Sequence, residues 1–112
     1  MASGVGAFDV AIADLSGDGA SDLAVANITT GSARLELLYQ DPAQRGSFRP
    51  AVALTVPGTA TTGVAAGDLD GDGRSDLAMA IALPRDGYTP NSVLGISLQR
   101  PDGTMGPVVT MA

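Results

Sequence analysis

The chain has 112 residues and a net charge of −6 at pH 7, with an isoelectric point near 4.1; this is one small domain's worth of sequence, and its acidity argues against nucleic-acid binding, which needs clustered Lys or Arg. It contains no Cys, no His and no Trp, and all six basic residues are Arg. No disulfide staples it, no histidine serves as a base, and a core drawn largely from Ala and Val is thin, so metal or oligomerisation is expected to contribute.

In chain order the first elements are strands expected at 8–13, 22–27, 34–40 and 48–56, with the acidic stretch "ADLSGDGASDLAVA" (13–26) between the first two. A second series follows at 62–67, 76–82, 92–99 and 105–111, with "GDLDGDGRSDLAMA" (67–80) in the same place. Leu77, Met79 and Ile81 alternate with Ala78, Ala80 and Ala82, the period of a strand. The segment "DLAMAIAL" is rich in helix formers, but its short length and the following Pro84 favour strand. No apolar run approaches the roughly 18 residues of a transmembrane helix, and the start "MASGVGAFDVAIADL" has no basic region of the kind that opens a signal peptide.

The two series are copies of one unit. Val10, Ala11 and Asp14 recur as Val64, Ala65 and Asp68 at an offset of 54; "LELLYQDP" (35–42) recurs as "LGISLQRP" (94–101) at 59, and "GSFRPAVAL" (46–54) as "GTMGPVVTM" (103–111) at 57. The reading is therefore all-β, with two four-stranded antiparallel units at 4–56 and 57–112. Self-similarity at a period of this size marks solenoids, propellers or arrays.

Seven of the twelve acids lie in the two loops, 14–22 and 68–76. Asp68, Asp70 and Asp72 stand at positions 1, 3 and 5, the Arg74 carbonyl falls at position 7 and Asp76 at position 9. The first loop offers Asp14, Ser16, Asp18, the Ala20 carbonyl and Asp22 at the same places. Calcium takes six to eight oxygens at about 2.3–2.6 Å, and alternate carboxylates with glycine at the sharp turns supply them. Two Ca2+ per chain are expected, the weaker at the first loop, where Ser16 replaces a carboxylate; two divalent ions would cancel four of the six net negative charges. An EF-hand is excluded, because its bidentate Glu at position 12 would fall on Val25 or Met79.

The string "VAAGDLDGDGRSDLAMA", together with "GSFRPAV" and "GTMGPVV", resembles the FG-GAP/VCBS repeat of integrin-like β-propellers, with Ser16 and Met105 as departures from the usual acid or Asn and the usual Phe. The resemblance implies four-stranded propeller blades whose calcium loop joins the first two strands, in proteins that act outside the cell in adhesion, lectin or enzyme-associated roles. Propellers have about 4–8 blades, so two blades are expected to complete a ring by homo-oligomerisation, as a trimer or tetramer. The alternative is an excised or engineered piece of a larger propeller protein.

No catalytic constellation stands out: serines and threonines lack a base to activate them, and the sole Glu, Glu36, falls in a strand. The expected function is a calcium-binding, self-assembling propeller scaffold without catalysis. A lectin-like or adhesion module is the alternative, in which Arg85, Asp86, Tyr88 and Asn91 of the longer loop "LPRDGYTPN" meet a glycan or protein ligand. The expected setting is extracellular, in a bacterial protein.

Overall fold

The computed structural model describes residues 6–29, 32–58, 60–82 and 92–111. Eight strands form, β1 (Gly6–Ala13), β2 (Asp22–Thr29), β3 (Ser32–Leu38), β4 (Val52–Thr55), β5 (Ala60–Gly67), β6 (Asp76–Ala82), β7 (Ser92–Ser97) and β8 (Val109–Met111), and no helix occurs among the described residues. They make two antiparallel four-stranded sheets in simple sequential order, β1-β2-β3-β4 and β5-β6-β7-β8.

The duplication extends to backbone irregularities. β1 shifts register between Ala7 and Asp9, and β5 between Thr61 and Gly63, so each sheet bulges at the same repeat position. The last strand of each sheet is shorter than its apolar pattern predicts. In both copies the chain makes one isolated bridge, Gln40 with Phe48 and Gln99 with Met105, and then leaves the ladder before pairing again. Pro50 and Pro107, which cannot donate to a ladder, fall in these gaps.

The sheets stack face to face. Ala11, Ala24, Ala26, Leu35 and Leu37 of the first form one apolar cluster with Val64, Leu77, Met79 and Ile81 of the second. Alanine on the first face lets the second sheet's longer side chains fill the gap between sheets without overpacking. Polar ties also cross the seam: the Val64 amide donates to Asp9 Oδ2 at 3.1 Å, and Gln99 Nε2 donates to the Asp14 carbonyl at 3.1 Å.

Candidate metal centres

Each acidic loop joins the first two strands of its sheet, β1 to β2 and β5 to β6. The turns are made where only glycine is at ease: Gly17 and Gly19 have φ of 81° and 86°, and Gly71 and Gly73 have 80° and 85°. These left-handed residues turn successive amides inward onto the position-1 carboxylate. Asp14 accepts from Gly17 N at 2.8 Å through Oδ1 and from Gly19 N at 2.8 Å through Oδ2. Asp68 accepts from Gly71 N at 2.8 Å and Gly73 N at 2.7 Å in the same way. Burial pushes the Asp14 carboxyl up, but the amides of Gly19, Gly17, Ser16 and Asp18 together outweigh it and hold its pKa below the ordinary value.

The position-9 aspartates are buried and bind main chain on both sides. Asp22 accepts from Leu15 N at 2.8 Å and Gln40 N at 2.9 Å; Asp76 accepts from Leu69 N and Gln99 N, both at 2.8 Å. Burial raises the Asp22 pKa against the help of those two amides, and the charges of Asp18 and Asp14 add to the rise. Position 5 closes the loop: Asp18 accepts from Ala20 N and Asp72 from Arg74 N, each at 2.9 Å. The Arg74 guanidinium also pairs with Asp72 at 2.8 Å. The Arg74 amide, with its guanidinium, holds the Asp72 pKa down, while desolvation and the neighbouring Asp72 raise that of Asp70.

One carboxylate oxygen from each of Asp68, Asp70, Asp72 and Asp76 lies within 4.8 Å of the others, and Asp14, Asp18 and Asp22 converge equally. Donors around one divalent cation at about 2.0–2.4 Å stand no more than about 4.8 Å apart, so each group could hold a metal ion. The donor set is all oxygen, which suits a hard cation, and carboxylate oxygens that already accept an amide keep lone pairs for a ligand. In the first loop Ser16 Oγ is buried with no hydrogen-bond partner, an unsatisfied hydroxyl at position 3. Ala20 and Arg74 occupy position 7, where their carbonyls would complete a shell.

Arg85, Asp86, Tyr88 and Asn91 lie outside the described residues. Two residues that sequence reasoning passed over are Gln40 and Gln99. Besides their main-chain bonds to the buried aspartates, their side-chain amides hold the loops from the end of the third strand, Gln40 Nε2 on the Ser21 carbonyl at 2.7 Å and Gln99 Nε2 on the Ser75 carbonyl at 3.0 Å. The signal was available, since each is the Gln of "YQDP" and "LQRP" at the offset of 59.

Fold and site together define a duplicated four-stranded β-repeat protein with an acidic, glycine-wound loop in each copy. The family described as the FG-GAP-like repeat matches residues 14–79, more than half of the chain, and the chain belongs to that family. No curated relative matches it.

Proposed function

We propose that the chain is a calcium-binding β-propeller repeat module that assembles with further blades of its own kind and serves as a scaffold without catalysis. The observation that carries the calcium reading is the convergence of Asp68, Asp70, Asp72 and Asp76 in a loop whose glycines impose the geometry. The same aspartates are engaged with backbone amides, the arrangement of a structural cation cage rather than of an acid/base pair. Calcium fits better than magnesium because the loop supplies a dense set of protein oxygens, whereas magnesium demands octahedral geometry and keeps its waters. Loops of this kind suit the millimolar calcium found outside cells, which favours an extracellular setting.

Calorimetric titration of metal-stripped protein with calcium is expected to show two sites per chain. A cation that binds only the folded state stabilises it by about 2.7 kcal/mol per site at a hundredfold excess over Kd, so excess chelator should lower the melting temperature. A melting temperature indifferent to chelator, with no heat of binding, would discard the calcium reading.

The two sites differ at position 3, so Ser16→Asp is expected to tighten the first by about tenfold, or about 1.4 kcal/mol. Asp70→Ser should weaken the second by a similar factor. Unchanged affinities in both variants would remove position 3 from the ligand set.

A further inference from the structure

The seam inside the chain displays what each face of the repeat does when a neighbour is present, and the outer faces carry the same residues without one. Leu15 is fully buried while its repeat counterpart Leu69 is 51% exposed; Val64 is 8% exposed while its counterpart Val10 is 51% exposed. Each sheet thus has one covered and one open face, and the open faces are opposite in kind.

The seam is built as a knob in a groove. Leu37, Tyr39, Val52 and Leu54 of the first sheet line a cavity of about 340 Å³ that Met105 of the second also lines, and Met105 is 8% exposed within the shared cluster. At the repeat offsets these four residues become Ile96, Leu98, Val109 and Met111, which line an open groove of about 640 Å³ on the far side of the second sheet. Met105 becomes Phe48, a larger knob that is 39% exposed.

The polar contacts of the seam have counterparts at the same open edges. Gln99, which donates across the seam to the Asp14 carbonyl, corresponds to Gln40, and Asp14 to Asp68. Gln40 Nε2 already makes the bond within its own repeat, and an amide NH2 carries a second donor hydrogen. Gly103 packs against Ser16 so closely that a Cβ there would stand 2.5 Å from the Ser16 carbonyl oxygen; its counterpart Gly46 has nothing within 4 Å of the same point. Ser16 corresponds to Asp70, so Arg45, beside Gly46, would approach an acidic loop, a favourable charge match. One tie is not repeated: Asp9 corresponds to Gly63, and the Val10 amide, the counterpart of Val64 N, is taken by Asp9 Oδ1.

We propose that a second copy of this chain docks head to tail on the first, Phe48 of one copy seating in the groove of Ile96, Leu98, Val109 and Met111 of the other, with the Gln40 side-chain amide on the Asp68 carbonyl. The inference rests on the repeat-module reading and names the surfaces through which that module assembles. Such a contact is heterologous and joins unlike surfaces, so it leaves one knob and one groove free and propagates until it closes.

Light scattering across a concentration series, in calcium, tests it with wild type, Phe48→Asp, Val109→Asp and an equimolar mixture of the two variants. The wild type is expected at a multiple of its 11.1 kDa protomer mass. Each variant alone should run as the protomer and melt where the wild type melts once diluted to protomer, since both side chains are exposed within the chain and only the stabilisation that comes from assembly is lost. The mixture should recover a heterodimer and nothing larger, because Phe48→Asp retains an intact groove and Val109→Asp an intact knob. Phe48→Ala, which removes the ring without adding charge, should shift the wild-type assembly in the same direction. A wild type at protomer mass overturns the proposal, as does an assembly that survives Phe48→Asp, or a mixture that stays monomeric. Calcium titration of the same samples separates the two readings: calcium binding by a monomer sinks the docking alone, and an assembly of metal-indifferent chains sinks the calcium reading alone.

Discussion

Asp76→Ala is expected to be among the most damaging single substitutions in this chain even when no metal is present, lowering stability by about 2–4 kcal/mol in urea denaturation with chelator. The carboxylate is buried and accepts from two amides that come from different places, Leu69 in its own loop and Gln99 at the end of the third strand, 23 residues away. Removing it orphans both. The Gln99 amide is buried and bears the larger penalty, about 1–3 kcal/mol; the Leu69 amide lies nearer water and costs less. Against the 5–15 kcal/mol of a typical domain this is a large fraction. Asp76→Asn should recover about half of the loss, since one oxygen still accepts while the NH2 group faces an amide donor. Asp70→Ala is the control. It should weaken calcium binding while leaving the metal-free protein as stable as wild type or slightly more so, because Asp70 is exposed and its charge adds repulsion within the loop. Equal losses for Asp76→Ala and Asp70→Ala in chelator would show that position 9 acts only as a ligand.

Gly103→Ala should cost about 2–5 kcal/mol, and Gly46→Ala only about 1–2. The two glycines are repeat counterparts with the same φ of 86°, so both substitutions force alanine into the left-handed region at about 1–2 kcal/mol. Only Gly103 lies against a neighbour, where the new Cβ would meet the Ser16 carbonyl; relieving that overlap means moving the turn away from the first acidic loop, at an overpacking cost of about 1–3 kcal/mol. The difference between the variants therefore measures how tightly the two repeats are docked. Thermal melts of both proteins, at concentrations low enough to hold them monomeric, supply it; identical losses would mean that the seam relaxes around the extra methyl.

Much of this molecule is local in origin and legible in the sequence. A carboxylate at alternate positions and a glycine at each turn are constraints within nine residues, so the acidic, glycine-turned loops can be read from "DLDGDGRSD" alone. The alternation of Leu77, Met79 and Ile81 with alanines placed β6 at Asp76–Ala82 for the same reason. Most boundaries moved by at most two residues, and the largest shifts are at the last strands, where an apolar pattern continues through Pro50 and Pro107 but the ladder cannot. Gln40 and Gln99 were visible as a repeated letter, yet nothing local says that a glutamine at the end of a third strand returns to a loop 18 to 24 residues earlier.

By itself, then, the sequence determined the duplication, the strand-loop-strand unit and the acid spacing, because each depends on neighbours along the chain. Only the tertiary structure decided which copy of each repeated residue is covered. Leu15 and Leu69, Val64 and Val10, and Met105 and Phe48 occupy equivalent positions, and no local rule distinguishes the members of a pair. Stacking the second sheet on one face of the first buries one of each and leaves the other in water, since a sheet has two faces and a single seam covers one face of each sheet.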